Sequence, residues 1–206
     1  MNTADSLHSE LFDQAKVHRI VFIGSFGVGK STAIRTVSDI HALSCEAGIS
    51  ELIAGENVSA EKKTTTVGID YGEIRISSQE RYALFGVPGQ PRFAHIWQSV
   101  VPTAMGAILL VDASQTQELA TCTDWLVRLK GMAPAIKVVI GVTRVSLSDE
   151  KSLSAYRHIL AKWDPHTPVV AADPRDPRHV RSLIATLLAI PSQPNLDAAG
   201  LPGDHK

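Results

Sequence analysis

Residues Gly24-Ser25-Phe26-Gly27-Val28-Gly29-Lys30-Ser31 spell G-x-x-x-x-G-K-[ST], the spacing of a phosphate-binding loop. Each residue type has a physical task there. Gly24 and Gly29 let the backbone turn tightly, so that successive N–H groups, including those of Gly27 and Val28, point inward at a phosphate. A helix starting near Gly29 adds the positive end of its dipole, and Thr32 lies in its first turn. The Lys30 ammonium can reach the outer phosphates, and the Ser31 hydroxyl can ligate Mg²⁺. The bland alternative is a strand–turn–helix corner that matches the pattern by chance.

A strand and a helix must hold this loop in place. The apolar run Val21-Phe22-Ile23 reads as a buried strand entering it, and Ala33, Ile34 and Arg35 suit a helix leaving it. The first strand is expected over about 17–23 and the first helix over about 30–42, followed by a long connection from Leu43 to Lys63 with little periodicity. Strands near 67–77 and 81–86, joined by Ser78-Gln79-Glu80, predict an antiparallel hairpin. A Pro-Gly turn and a short helix then lead to Met105–Asp112, apolar enough for a strand buried on both faces. Further strands are expected at 136–142 and 168–172, and helices at 115–130, 148–163 and 177–189. This alternation predicts an α/β fold: a three-layer P-loop NTPase domain with a six-stranded, mostly parallel sheet flanked by about five helices. The phosphate loop falls at the carboxyl edge of that sheet. The expected organisation is a polar N-terminal extension (1–16), the domain (17–190) and a disordered tail (191–206) rich in Pro and Gly.

The chain has 206 residues and a formal net charge of -1, so no electrostatic attraction to nucleic acid or a bilayer is expected. Aromatic content of 5% also argues against base-stacking surfaces. The two cysteines, Cys45 and Cys122, lack metal-ligand spacing and read as reduced thiols of a cytoplasmic protein. Neither a spanning helix nor a lipidation motif is visible, so no direct membrane anchor is expected.

Two further segments take on meaning behind a phosphate loop. One is Thr64-Thr65-Thr66-Val67-Gly68-Ile69-Asp70-Tyr71-Gly72; the other is Leu84-Phe85-Gly86-Val87-Pro88-Gly89-Gln90. Taken singly, Thr66 could be a β-branched strand entry, Gly89 a turn residue and Gln90 a solvated amide. In order, behind the loop, they make the chain resemble the bacterial Ras-like small GTPases. The similar branch includes the cell-polarity GTPase MglA and the small GTPases of actinomycete conservon operons, and the likeness runs from about Val17 to Ala189. The resemblance implies that Thr66, like Ser31, ligates Mg²⁺ when a γ-phosphate is present. It implies that the Gly89 N–H meets that phosphate, and that Gln90 orients the attacking water, with Lys30 as the other catalytic group. Phe93, Ile96 and Trp97 would form an apolar stripe on the following helix, whose usual meaning is core packing.

The sequence departs from the family pattern at three places. Most Ras-like proteins carry an aspartate where this chain has Gly86; Asp70 is expected to compensate in part. The guanine-reading motif N-K-x-D appears as Thr143-Arg144-Val145-Ser146, and one neutral hydroxyl cannot reproduce the two-acceptor fork of an aspartate. Arg144 could still cover one face of the base with its planar guanidinium. The third motif appears as Asp173-Pro174-Arg175; if Pro174 aligns with the family alanine a backbone donor is lost, whereas a register shifted by one residue restores it.

The resulting expectation is a GTP- and GDP-binding switch with slow, Mg²⁺-dependent hydrolysis that signals through switch-dependent partners. The resemblance implies regulators of the roadblock type or other regulatory proteins. Two alternatives stay open: a degenerate nucleotide-binding scaffold with little hydrolysis, and a P-loop ATPase with relaxed base specificity. The last would use Asp112, at the end of an apolar strand, as an acidic Mg²⁺ partner, although Asp112 could equally cap the next helix.

Overall fold

The strand that enters the phosphate loop, β1 (His18–Gly24), is apolar at successive positions because both of its faces are covered. Ile20 and Phe22 point into one core cluster, whereas Val21 and Ile23 point into the other. The computed structural model describes residues 17–45, 69–115, 117–162 and 164–191. The expected N-terminal extension, Thr66 and nearly all of the expected tail lie outside the described residues.

After the loop come α1 (Lys30–Val37) and a three-residue strand, β2 (Leu43–Cys45). The hairpin β3 (Ile69–Arg75) and β4 (Arg81–Gly86) follows. A 3₁₀ turn at Pro91–Phe93 then leads into α2 (Ala94–Val100). The remaining elements are β5 (Gly106–Asp112), α3 (Glu118–Met132), β6 (Lys137–Thr143), α4 (Glu150–Leu160), β7 (Val169–Ala171) and α5 (Pro177–Ala189).

The sheet order is β2-β3-β4-β1-β5-β6-β7. The run from β4 to β7 is parallel, and the hairpin partners β3 and β2 are antiparallel. The expected α/β architecture with five main helices is therefore present. The sheet has a seventh strand because β2 occupies the start of the segment expected to be a connection. α1 also stops earlier than expected, at Val37. The Asp39 N–H donates to the Glu73 carbonyl at 2.7 Å, and the Asp39 carboxylate accepts from the Arg75 N–H at 2.6 Å. Those contacts with β3 engage the backbone that would have continued the helix.

α1 and α5 cover one face of the sheet. Ala33, Ile34 and Val37 meet Val180, Leu183, Ile184 and Leu187, at the i, i+3, i+4, i+7 spacing of one helix face. The helices α2, α3 and α4 cover the other face through Trp97, Trp125, Leu129 and Leu153. Each buried Val, Leu or Ile among them stabilises the fold by roughly 1.5–3 kcal/mol relative to exposure. Parallel strands share one carboxyl edge, so the segments after β1, β4, β5, β6 and β7 converge there.

Candidate functional site

The loop after β1 holds Gly27 and Gly29 at φ 76° and 110°, in the left-handed region that glycine enters without strain. Gly29 then caps α1, whose ladder opens with the Ala33 N–H donating to the Gly29 carbonyl at 2.8 Å. Lys30 is buried beneath the loop. Its Nζ donates to the Gly24 and Ser25 carbonyls, each at 2.8 Å. Burial lowers its pKa to about 8, against the opposing pull of the Asp70 and Glu118 carboxylates.

Ser31 Oγ donates to the Asp70 carboxylate. This contact spans 39 residues and is set by strand register: Asp70 on β3 pairs directly with Gly86 on β4. A Cβ at position 86 would sit 3.1 Å from both Cβ and Oδ2 of Asp70. The Asp70 carboxylate therefore occupies the space that a side chain at position 86 would fill, and it points at the candidate metal-binding serine. Two hard oxygen donors of this kind suit Mg²⁺, which takes one or two protein carboxylates and completes its shell with water and phosphate. No cluster of three or more His, Cys, Asp or Glu capable of holding a metal occurs among the described residues. An ion here would thus rely on the phosphates for its remaining ligands.

The segment after β4 closes over this region. The Val87 N–H donates to the Phe22 carbonyl at 3.1 Å, and Gly89 then lies directly across the phosphate loop. A Cβ on Gly89 would be only 2.3 Å from the Gly24 carbonyl oxygen, so only glycine fits. Lys30, Ser31, Asp70, Gly89 and Gln90 line a single cavity of about 420 Å³. Phe26, 82% exposed, stands at its mouth.

A second cavity, of about 390 Å³, adjoins the first and shares Gly27, Gly29 and Thr32 with it. Val28, Thr143, Arg144 and Arg175 line it too, together with Val145, Asp173 and Pro174. Arg144 adopts φ 55° and ties three elements together. Its Nη1 donates to the Asp112 carboxylate at the end of β5, and its Nη2 donates to the Gly27 carbonyl at 3.0 Å. Asp112 is buried and also accepts from Ser114 N and Oγ at 3.0 and 2.6 Å. Burial alone would raise the Asp112 pKa; the Ser114 hydrogen bonds and the Arg144 charge outweigh it and hold the carboxyl below its ordinary value.

Asp112 is therefore neither of the things expected of it. It does not line the phosphate cavity, and the residue that caps α3 is Gln117. It is the counter-ion that holds Arg144 in place.

The groups expected to read a base edge are engaged elsewhere. Thr143 Oγ1 donates to the Val111 carbonyl at 3.1 Å. Ser146 is exposed, lies 3.1 Å from Ser148 Oγ and is not among the residues lining the cavity. In the last loop, the Asp173 N–H donates to His179 Nδ1 at 3.3 Å, and the Arg175 N–H donates to Asp173 Oδ1 at 2.9 Å. The Arg175 guanidinium also grips both oxygens of Asp173, which lowers that carboxyl to about 2. Pro174, between them, has no N–H and lies against Gly29, where an added Cβ would come within 2.6 Å of its Cγ. The local sequence carries no sign of the Asp112–Arg144 pair, because it joins loops that meet only in the folded sheet; the His179 acceptor is local but depends on how the first turn of α5 folds back on the loop.

The family described as "Conserved hypothetical ATP binding protein" matches residues 22–194, most of the chain. The protein belongs to this family. No curated protein matches it. Among solved structures it is similar to bacterial selenocysteine-specific elongation factor EF-Sec, with a TM-score of 0.58 and 20% sequence identity. That match covers 88% of this chain but only 30% of the elongation factor, so the likeness is one of fold. Family and fold together make this a nucleotide-binding domain of the P-loop NTPase type. None of its described helices is long and apolar enough to cross a membrane.

Proposed function

We propose that the protein is a GTP- and GDP-binding switch of the Ras-like kind, with slow, Mg²⁺-dependent hydrolysis of the triphosphate. One observation carries this reading: a single cavity gathers the phosphate-loop lysine and serine, a carboxylate, and the glycine–glutamine pair after β4. In this reading Lys30 and the loop amides hold the phosphates. Ser31 and Asp70, with Thr66, would hold Mg²⁺, which would supply positive charge to offset that of the polyphosphate. The Gly89 N–H senses the γ-phosphate, and the Gln90 amide orients water beside it. Loss of the γ-phosphate releases the segment around Gly89, and partner proteins, roadblock-type regulators among them, distinguish the two states.

The test is phosphate release from GTP under single-turnover conditions in Mg²⁺ buffer. Slow release is expected from the natural protein, with a loss of about tenfold or more in Gln90→Leu. No release over hours, with nucleotide still bound, would favour a hydrolysis-dead scaffold instead.

A second reading, in which ATP serves as well as GTP, is favoured by the state of the base cavity. The Asp173 and Arg175 N–H groups are occupied, Pro174 has none, and Ser146 is turned to solvent. A guanine O6 therefore finds no ready backbone donor in that loop, and the guanine amino group finds no carboxylate fork, since both Asp173 oxygens are held by Arg175. The Arg144 plane, fixed from both sides, can stack on either purine. Competition against a labelled nucleotide is expected to give GTP and ATP affinities within about tenfold of each other. Sites that use the full set of polar contacts discriminate far more strongly. A preference of a thousandfold for either base would overturn this second reading.

A further inference from the structure

Trp97 has a bond that its place in the core does not require. It is 3% exposed, packed between the sheet and α3. Its ring lies 4.8 Å from that of Trp125, and the Arg128 guanidinium stands 5.8 Å over its face. Its Nε1 donates to the Pro88 carbonyl at 2.8 Å. That carbonyl belongs to the Pro88–Gly89 peptide, and all described peptide bonds are trans. In a planar trans peptide the C=O and N–H point in opposite directions. Once the indole holds the carbonyl, the Gly89 N–H must point away from Trp97. Two fixed points then define the segment: Val87 N on the Phe22 carbonyl and Pro88 O on Trp97. Gly89 follows them directly, pressed against Gly24 at the edge of the phosphate cavity.

We propose that Trp97 is a positioning residue for terminal-phosphate sensing: its indole N–H sets the orientation of the Gly89 amide that distinguishes a nucleoside triphosphate from a diphosphate. The role rests on the functional reading above, in which Gly89 meets the γ-phosphate. Trp97 touches no phosphate itself and acts only through the peptide plane. Its loss therefore bears on the ligand that uses the Gly89 N–H and spares the ligand that does not.

Trp125 provides the internal control. Its ring meets that of Trp97 at 52° on the same face, and its own Nε1 is buried with no hydrogen-bond partner. Trp97→Phe keeps an aromatic ring in place and deletes one hydrogen bond. Trp125→Phe trims the neighbouring ring and deletes none.

The experiment is calorimetric titration of the full chain with GTPγS, GDP, ATPγS and ADP in Mg²⁺ buffer, for the natural protein and both variants. In Trp97→Phe the triphosphate analogues are expected to bind about five- to tenfold more weakly, the worth of one net hydrogen bond, with diphosphate affinity changed by less than about twofold. In Trp125→Phe the ratio of the two affinities stays as in the natural protein. Equal weakening of both ligand classes in Trp97→Phe would make Trp97 a merely structural residue and overturn the proposal. So would an unchanged ratio, or the same change of ratio in Trp125→Phe. If the natural protein bound none of the four nucleotides, the functional reading would fall and this role with it.

Discussion

In Asp70→Ala, Mg²⁺ is expected to lose most of its effect on nucleotide binding. Triphosphate affinity measured with Mg²⁺ should fall roughly 10- to 100-fold, the range for loss of an interaction with a charged group. Affinity measured in EDTA at about pH 6, where Lys30 is charged with or without Asp70, should barely change. Among the described residues, Asp70 is the only carboxylate lining the phosphate cavity, and Ser31 already bonds to it. A metal bound there without it would rest on neutral oxygens and the phosphates alone. Gly86 supplies the converse test. Positions 70 and 86 face each other across an antiparallel pair, so either strand could deliver an acid to the same place. Adding Gly86→Asp to Asp70→Ala should recover part of the Mg²⁺ dependence. Gly86→Asp alone should crowd a second acid against Asp70, its Cβ falling 3.1 Å from Asp70 Oδ2, and so weaken binding and destabilise the fold. An Asp70→Ala protein with undiminished Mg²⁺ dependence would show that the ion is held elsewhere.

The same register explains why some of this site was legible in the sequence and some was not. The phosphate loop is contiguous: its chemistry lies in eight adjacent residues, and the strand before it announces itself by being apolar on both faces. Strand β5 could be read for the same reason. Asp70 and Gly86 could each be flagged, one as an unexplained acid and one as a missing acid, but only strand pairing brings them together.

β2 escaped because three residues are too few to display a period, and Leu43–Cys45 owes its strand geometry to pairing with Ile69–Tyr71. Asp112 drew two local explanations and satisfies neither, since its partner Arg144 lies 32 residues away. The register of Asp173-Pro174-Arg175 against the base could not be set by counting either. It is set by Pro174 resting on Gly29 and by His179 taking the Asp173 N–H. Local chemistry is written in the sequence, whereas chemistry shared between two loops needs the sheet that aligns them.

The largest loss of affinity is expected from Lys30→Ala: about 100-fold or more for both tri- and diphosphates, combining a lost charge with lost charged hydrogen bonds. An ammonium has three donors. Two are committed to the Gly24 and Ser25 carbonyls, which leaves one directed by the other two. Burial lowers the Lys30 pKa to about 8, so this third donor and the charge are both present below that pH and are lost as pH rises through it. Phosphate affinity of the natural protein should therefore fall above about pH 8, by up to about tenfold per pH unit, the limit for release of one proton. Lys30→Ala should show a flat profile over that range. The two sites are coupled: the Asp70 carboxylate is the first of the two that pull the Lys30 pKa back up. Removing it should shift the alkaline fall of affinity to lower pH in Asp70→Ala, when the titration is done in EDTA so that the metal contributes nothing. Parallel pH profiles for the natural protein and Lys30→Ala would place the titrating group elsewhere. An unmoved alkaline limb in Asp70→Ala would mean that Asp70 serves the metal alone, and that burial and Glu118 set the charge on Lys30.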